Sequence, residues 1–133
     1  MDSCVFCKIL RGEIPSFKVT ENENFYAFLS IGPHRPGHTL IIPKMHINDL
    51  FEMDENLLSQ ILLFSKNIAD ALKKAFQPKS GKVGLLVAGL EVPHAHLHLI
   101  PMDKLGDLDL KMAKEASQEE LTENLEKIKA ALS

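Results

Sequence analysis

Residues 94–100 carry the pattern that most restricts the fold, because histidines alternate with apolar residues from His94 to Leu99. Alternation with a period of two is typical of a β-strand that has one buried and one accessible face. It predicts that Ala95, Leu97 and Leu99 enter a core while three histidines project from the opposite face. Solvated imidazoles on an open sheet are the alternative, but three in register favour a functional site.

The spacing of these histidines limits what they can do together. In a regular strand the backbones of His94 and His98 lie roughly 13 Å apart. Two nitrogens that bind one zinc ion lie within about 4 Å of each other. We therefore expect the three histidines to divide between a metal or structural bond and chemistry. Imidazole suits such chemistry because it is a neutral nucleophile and a proton carrier near pH 7.

The remaining chain predicts an α+β fold with an antiparallel sheet of about five strands, one long helix and short terminal helices. Asp54 is expected to cap the long helix, whose apolar residues repeat at three and four as far as Phe76. Ser117 opens a capping-box pattern for the last helix, after a charged connector at 103–116. The other predicted elements are a helix at 5–11, a hairpin of Phe17–Glu21 and Phe25–Ile31, and strands at Thr39–Ile42, Val83–Ala88 and Ala95–Met102.

Charge, apolar run length and cysteine spacing argue against several classes of function. The 133 residues carry a net charge of -3 and no basic stripe, so we expect no binding to nucleic acid. No apolar run approaches the length of a membrane span, and no membrane partner is expected. Two cysteines only three residues apart, with no signal-peptide pattern before them, favour a reducing, cytoplasmic location.

Several blocks of sequence, taken together, resemble one family. The segment His94–Ile100, followed by Pro101, resembles the histidine triad (HIT) motif of alternating histidines and hydrophobic residues. The resemblance is to the small bacterial HIT hydrolases, which are phosphoramidase-like and diadenosine polyphosphate hydrolase-like. It implies a HIT-like fold, with a HIT domain at 1–102 and a connector and helix at 103–133 within the same single domain. The supporting blocks, in matching order and spacing, are Cys4–Ile9, Gly12–Pro15, Ala27–Phe28 and Pro36–His46.

The resemblance also implies a reaction. His96 would attack the α-phosphorus of a purine nucleotide, either a nucleoside phosphoramidate or a dinucleoside polyphosphate, and carry the nucleotidyl group until water releases AMP. His98 would donate a hydrogen bond to the phosphate or leaving group, and the backbone carbonyl of His94 would hold the Nδ1 proton of His96. Two alternatives stay open: a nucleotide-binding protein with little or no turnover, and a hydrolase whose histidines hold a catalytic ion.

The same resemblance assigns residues to the nucleotide. Ser30 takes the ribose position, where many relatives have an acidic residue. The short loop of residues 88–92 replaces a longer glycine-rich loop that carries phosphate donors, and its Glu91 would repel a phosphate unless it turns outward. For Val5 and Ile9, an ordinary place in the core is equally consistent. The nucleotide-binding residues implied are Val5, Phe6, Ile9, Phe28, Leu29, Ser30, Ile31 and Gly89.

Cys4 and Cys7 have the spacing of half a tetrahedral zinc site. The resemblance supplies His46 and His94 as the other two ligands and implies a structural zinc; reduced thiols without metal are the alternative. His38 is expected to be a buried imidazole bonded to backbone.

His34 is expected to be a solvated loop residue, with an approach to the phosphate as its alternative. By analogy with homodimeric relatives, the helix at 54–76 is expected to take part in a dimer interface.

Overall fold

The structure is a computed structural model and describes residues 3–132. A five-stranded antiparallel sheet has the order β1-β2-β3-β5-β4, so the last two strands in the chain exchange places. The strands are β1 Lys18–Glu21, β2 Phe25–Leu29, β3 Thr39–Pro43, β4 Lys82–Leu86 and β5 Leu97–Met102. The helices are α1 Val5–Leu10, α2 Glu55–Phe76 and α3 Gln118–Ala131, with 3-10 turns at Leu50–Glu52, Leu105–Leu108 and Leu110–Met112. The predicted fold class is confirmed.

The two faces of the sheet are covered by different parts of the chain. Ala27, Ile41 and Leu97 pack on one face against α2 and α3 and form the main core. Phe28 and Leu40, one residue out of phase with that set, pack on the other face against α1. The alternation of side chains along each strand therefore separates a structural face from a face that holds the histidines and cysteines.

Helix α2 begins and ends where local sequence chemistry requires it. The Asp54 side chain accepts a hydrogen bond from the N–H of Leu57, which caps the N-terminus. At the other end Gln77 adopts a left-handed conformation before Pro78 prevents continuation. Within the part of the chain that is described, none of the helices has the length and apolar character needed to cross a membrane.

The strand that carries the histidine pattern is shorter than predicted. It begins at Leu97, so His94 and His96 lie in an irregular segment before it and only His98 is a strand residue. The reason is that the backbone of this segment bonds elsewhere: the N–H of Ala95 donates to the carbonyl of Ile47, 2.7 Å away. The prediction that all three imidazoles project from one regular strand face is therefore wrong.

The loop of residues 32–38 lies against the end of α2. Gly37 has φ of 92° there, in the region that favours glycine. A Cβ atom at Gly37 would lie 2.5 Å from the Phe76 ring, so no larger residue fits unless that ring moves. The loop that carries His38 is thereby held close to the last turn of α2.

Candidate active site and metal centre

Two cysteines and two histidines from three distant segments meet beneath α1. The Sγ atom of Cys7 lies 3.1 Å from Nδ1 of His46 and 3.6 Å from Nδ1 of His94. The Sγ atom of Cys4 lies 3.4 Å from the same His94 nitrogen. All four ligand atoms are within 4.8 Å of one another, so the cluster could hold a metal ion. Two sulfurs and two imidazole nitrogens are the donor set of structural zinc sites.

The surroundings of His94 favour the neutral ring with Nδ1 available to bind a cation. Nε2 of His94 donates to the carbonyl of Pro43, 2.9 Å away, so the lone pair of Nδ1 faces the two sulfurs. Such a hydrogen bond to the second ring nitrogen is typical of metal-bound histidines. Burial, followed by the neighbouring imidazoles, lowers the pKa of His94, which keeps the ring in its neutral, ligating form. Burial and the adjacent Cys4 raise the pKa of the Cys7 thiol, and a cation would favour its thiolate.

His96 is oriented by a backbone group. Its Nδ1 donates to the carbonyl oxygen of His94, 2.8 Å away, which leaves Nε2 with a free lone pair. The ring is 7% exposed and packs edge-on against Phe6, with ring centroids 5.0 Å apart. A cavity of about 240 Å³ lies beside it, between residues 48–50 and 87–90. An imidazole held in this tautomer beside a cavity could act as a nucleophile.

His98 is bonded to His38 and carries its proton on the far nitrogen. The backbone N–H of His34 donates to Nδ1 of His38, so the His38 proton is on Nε2. That Nε2 donates to Nδ1 of His98, 2.9 Å away, which places the proton of a neutral His98 on Nε2. Burial, then neighbouring histidines, lowers the pKa of His38 to about 3 and that of His98 to about 4. Both rings are neutral at pH 7, and His98 is a hydrogen-bond donor toward the site.

The structure confirms that His38 is buried and bonded to backbone, but the prediction for His34 is wrong. His34 is 3% exposed, and its Nδ1 donates to the main-chain carbonyl of Asp107, 2.9 Å away. The sequence does not predict that residues 103–116, expected to be a charged connector, pack over the loop of His34. In the structure Asp107 is buried within this segment, which covers the loop of His34.

The residues expected to hold a base do not all lie together. Phe6 and Phe28 are buried and pack edge-on, with ring centroids 5.6 Å apart, and Ile9 packs on the same cluster. Val5 and Ile31 are exposed. Leu29 is buried in the main core on the helix side of the sheet, so its side chain is separated from Phe6 and Phe28.

Ser30 and Gly89 are the residues expected to lie near the ribose and the phosphate. The Ser30 hydroxyl accepts from the N–H of Gly32 at 3.2 Å and stays partly exposed. Gly89 borders the cavity beside His96, and Glu91 is exposed. Asp49, which sequence reasoning did not select, also borders that cavity. The cavity wall thus offers few side-chain donors to a phosphate.

Comparison with known proteins was made at the level of sequence and of structure. The model of the HIT domain matches residues 11–105. The adenosine 5'-monophosphoramidase of Saccharomyces cerevisiae is 43% identical over 103 residues, which are 74% of this chain and 62% of that protein. A HIT-like protein of Bartonella henselae, solved with an unknown ligand, is 34% identical with a TM-score of 0.85, covering 98% of this chain and 97% of its own. A zinc-bound histidine triad family protein of Mycobacterium smegmatis is 31% identical with a TM-score of 0.81, covering 98% and 94%.

Proposed function

The chain belongs to the HIT domain family, and we propose that it is a nucleotide hydrolase that cleaves at the α-phosphate of a nucleoside phosphoramidate or a dinucleoside polyphosphate. The observation that carries this proposal is the proton placement on two adjacent imidazoles. His96 presents a free Nε2, and His98 presents an N–H on its Nε2, with ring centroids 5.1 Å apart. A nucleophile and a hydrogen-bond donor therefore lie side by side. The similarity to an adenosine 5'-monophosphoramidase supports the same chemistry.

The reaction proceeds in two displacements. Nε2 of His96 attacks the α-phosphorus, and the bond from phosphorus to the nitrogen or oxygen of the leaving group breaks. The leaving atom accepts a hydrogen bond from the Nε2–H of His98 and takes its proton from water. A second water then attacks the phosphorus and loses a proton to solvent, and the bond to His96 breaks to release the nucleoside monophosphate. One difficult displacement is thus split into two easier steps.

The nucleotide itself lies against the α1 face of the sheet in this proposal. Phe6, Phe28 and Ile9 offer an apolar and aromatic surface for a purine, with the exposed Val5 and Ile31 at its rim. The Ser30 hydroxyl meets the ribose, and the backbone of Gly89 meets the phosphate. The Leu29 side chain takes no part, because it belongs to the opposite core.

A structural zinc ion completes the proposal. Cys4, Cys7, His46 and His94 would hold it, and these four ligands fill a tetrahedral site without leaving a position for an activated water. The ion would tie α1, which carries Phe6, to the segment that carries His96. Its contribution is therefore to hold the nucleotide surface next to the nucleophile.

One observation favours a second candidate, a nucleotide-binding protein with little turnover. The side chains of residues 88–92 include no cationic or amide donor for a phosphate. The one charged residue among them, Glu91, is acidic and exposed. Less stabilisation of the developing phosphate charge would slow the first displacement.

An assay of product release and of the intermediate separates the two functions. We expect AMP release from adenosine phosphoramidate or diadenosine tetraphosphate, and protein quenched in alkaline denaturant should carry one AMP on His96 by mass spectrometry. Asp70→Asn, an exposed change on α2, serves as the matched control and should behave as wild type. AMP binding by calorimetry without AMP release or adduct would instead support the binding protein.

We also propose that the chain forms a homodimer through β4 and α2. β4 lies at one end of the sheet order, and Leu85 on it is 45% exposed. Leu62 and Leu63 on the adjoining α2 are 54% and 67% exposed. An unpaired strand edge beside an apolar helix face is typical of an interface between copies.

Charge placed on that surface should separate the copies. We expect Leu63→Glu with Leu85→Glu to change the sedimenting species from dimer to monomer, because two carboxylates per chain would be buried without partners. The matched control is Leu105→Glu, which is equally apolar and 81% exposed but lies in the 3-10 turn outside this surface. A wild-type monomer at micromolar concentration, or a dimeric double variant, would contradict the interface.

A further inference from the structure

His34 is a buried histidine that the proposed reaction leaves unused. It is 3% exposed and makes two hydrogen bonds, one from its side chain and one from its main chain. Its side chain donates from Nδ1 to the carbonyl of Asp107 at 2.9 Å, and its main-chain N–H donates to Nδ1 of His38 at 3.1 Å. One residue therefore links the C-terminal segment to the histidine that holds His98.

The Asp107 carbonyl, which accepts the hydrogen bond from His34, lies in a turn that is itself held in place. The Asp107 carboxylate is 1% exposed and accepts from the N–H groups of Asp103 and Lys104, at 2.8 and 3.1 Å. Burial alone would raise the pKa of Asp107, but these N–H groups and the nearby Arg35 hold it below its ordinary value. A charged carboxylate thus closes the turn on which His34 is anchored.

Two further contacts join the loop of residues 32–38 to the C-terminal segment. Arg35 forms an ion pair with Asp103, and the N–H of Lys114 donates to the carbonyl of Pro33 at 3.2 Å. The Pro33 carbonyl belongs to the same peptide group as the His34 N–H, so the Lys114 bond holds one side of that group. The His34 side chain, bonded to Asp107, holds the other side, and of these contacts it alone involves an imidazole.

The direction of the bonds decides which nitrogen of His98 carries a proton. A backbone N–H can only donate, so it keeps Nδ1 of His38 unprotonated and the His38 proton on Nε2. His38 then donates to His98, whose own proton must be on the opposite nitrogen. Without a fixed donor at His38, both rings could exchange tautomers, and Nε2 of His98 would lack its proton part of the time.

We propose that His34 is a positioning residue: anchored on the Asp107 carbonyl, it holds its N–H against His38 and thereby keeps the proton of His98 on Nε2. The catalytic consequence rests on the proposed hydrolase function, but the tautomer itself is a property of the free protein. The two can therefore be tested separately.

The test compares three variants of His34. Asparagine places an amide N–H close to the position of Nδ1 and can reach the Asp107 carbonyl. Glutamine places it one carbon further out, and alanine has no donor. Long-range ¹H–¹⁵N spectra of the uniformly labelled full chain report which nitrogen of each imidazole carries the proton.

We expect the Nε2–H tautomer of His98 in wild type and in His34→Asn, and a mixture of tautomers in His34→Ala and His34→Gln. With adenosine phosphoramidate, kcat should fall by about 10- to 100-fold in His34→Ala with little change in KM, as for other residues that orient a functional group. His34→Asn should recover most of the loss.

Unchanged His98 tautomers in His34→Ala would overturn the proposal, and so would equal recovery by asparagine and glutamine, which would mean that side-chain volume matters and the donor does not. Failure of all three variants to fold would also overturn it, because His34 would then be a core residue. If wild type has no hydrolase activity, the proposed function fails, while the spectra still decide the role of His34.

Discussion

Replacement of His96 by alanine should lower kcat for release of AMP by at least about 10⁴-fold, the scale on which loss of a covalent nucleophile acts in hydrolases. The reason is chemical: His98 could still donate a hydrogen bond, but nothing would attack the phosphorus from the Nε2 position of residue 96. The AMP adduct should be absent from the same variant after a quench in alkaline denaturant. Initial rates and mass spectra with adenosine phosphoramidate measure both effects.

Two controls separate the lost nucleophile from a lost fold. His96→Asn keeps an N–H near the His94 carbonyl, which preserves the local hydrogen bond, and it should be as inactive as alanine. Added imidazole should partly restore the alanine variant by occupying the space of the missing ring. A His96→Ala protein that keeps a tenth of the wild-type rate would contradict the proposed intermediate.

Loss of the metal should have the largest effect on stability. We expect one zinc ion per chain in wild type and almost none in Cys7→Ser, because a hydroxyl is a much poorer ligand than a thiolate. An ion bound only by the folded chain, at 100 to 1,000 times its Kd, adds about 3 to 4 kcal/mol to the free energy of unfolding. The melting temperature should therefore fall by roughly 10 °C. Metal analysis and calorimetry measure these quantities.

The matched control for this prediction is the chelator. It should lower the melting temperature of wild type and leave that of Cys7→Ser unchanged, because the variant has no ion to lose. Clearly less than one zinc per chain in wild type purified without chelator would contradict the site. Hydrolysis that persists after chelation, below the melting temperature of the metal-free chain, would exclude a catalytic ion.

Much of the fold follows from local patterns that act over a few residues. The cap at Asp54, the break at Pro78 and the polar turn between β1 and β2 lie where the sequence predicts them, because each depends only on neighbouring backbone groups. The metal cluster was assigned by resemblance, and the structure brings the same four residues together.

The errors arose where distant segments determine local structure. Periodicity placed His94 and His96 in a strand, but Ala95 gives its N–H to Ile47 instead of to a neighbouring strand. His34 was assigned to solvent because its neighbours are turn residues, and nothing local indicates that Asp107, 73 residues further along, covers it. Polar spacing predicts neither contact, since each joins residues far apart in the chain, Ile47 with Ala95 and His34 with Asp107.

The close contact between Gly37 and Phe76 joins the last turn of α2 to the loop that carries His38. Helix ends open locally at a lower free energy than the core of a domain. On warming, fraying at Phe76 would remove one of the contacts that hold the loop of His38, while its bonds to Asp103, Asp107 and Lys114 and the strand order of the sheet persist. The loop would therefore loosen below the temperature at which the domain unfolds.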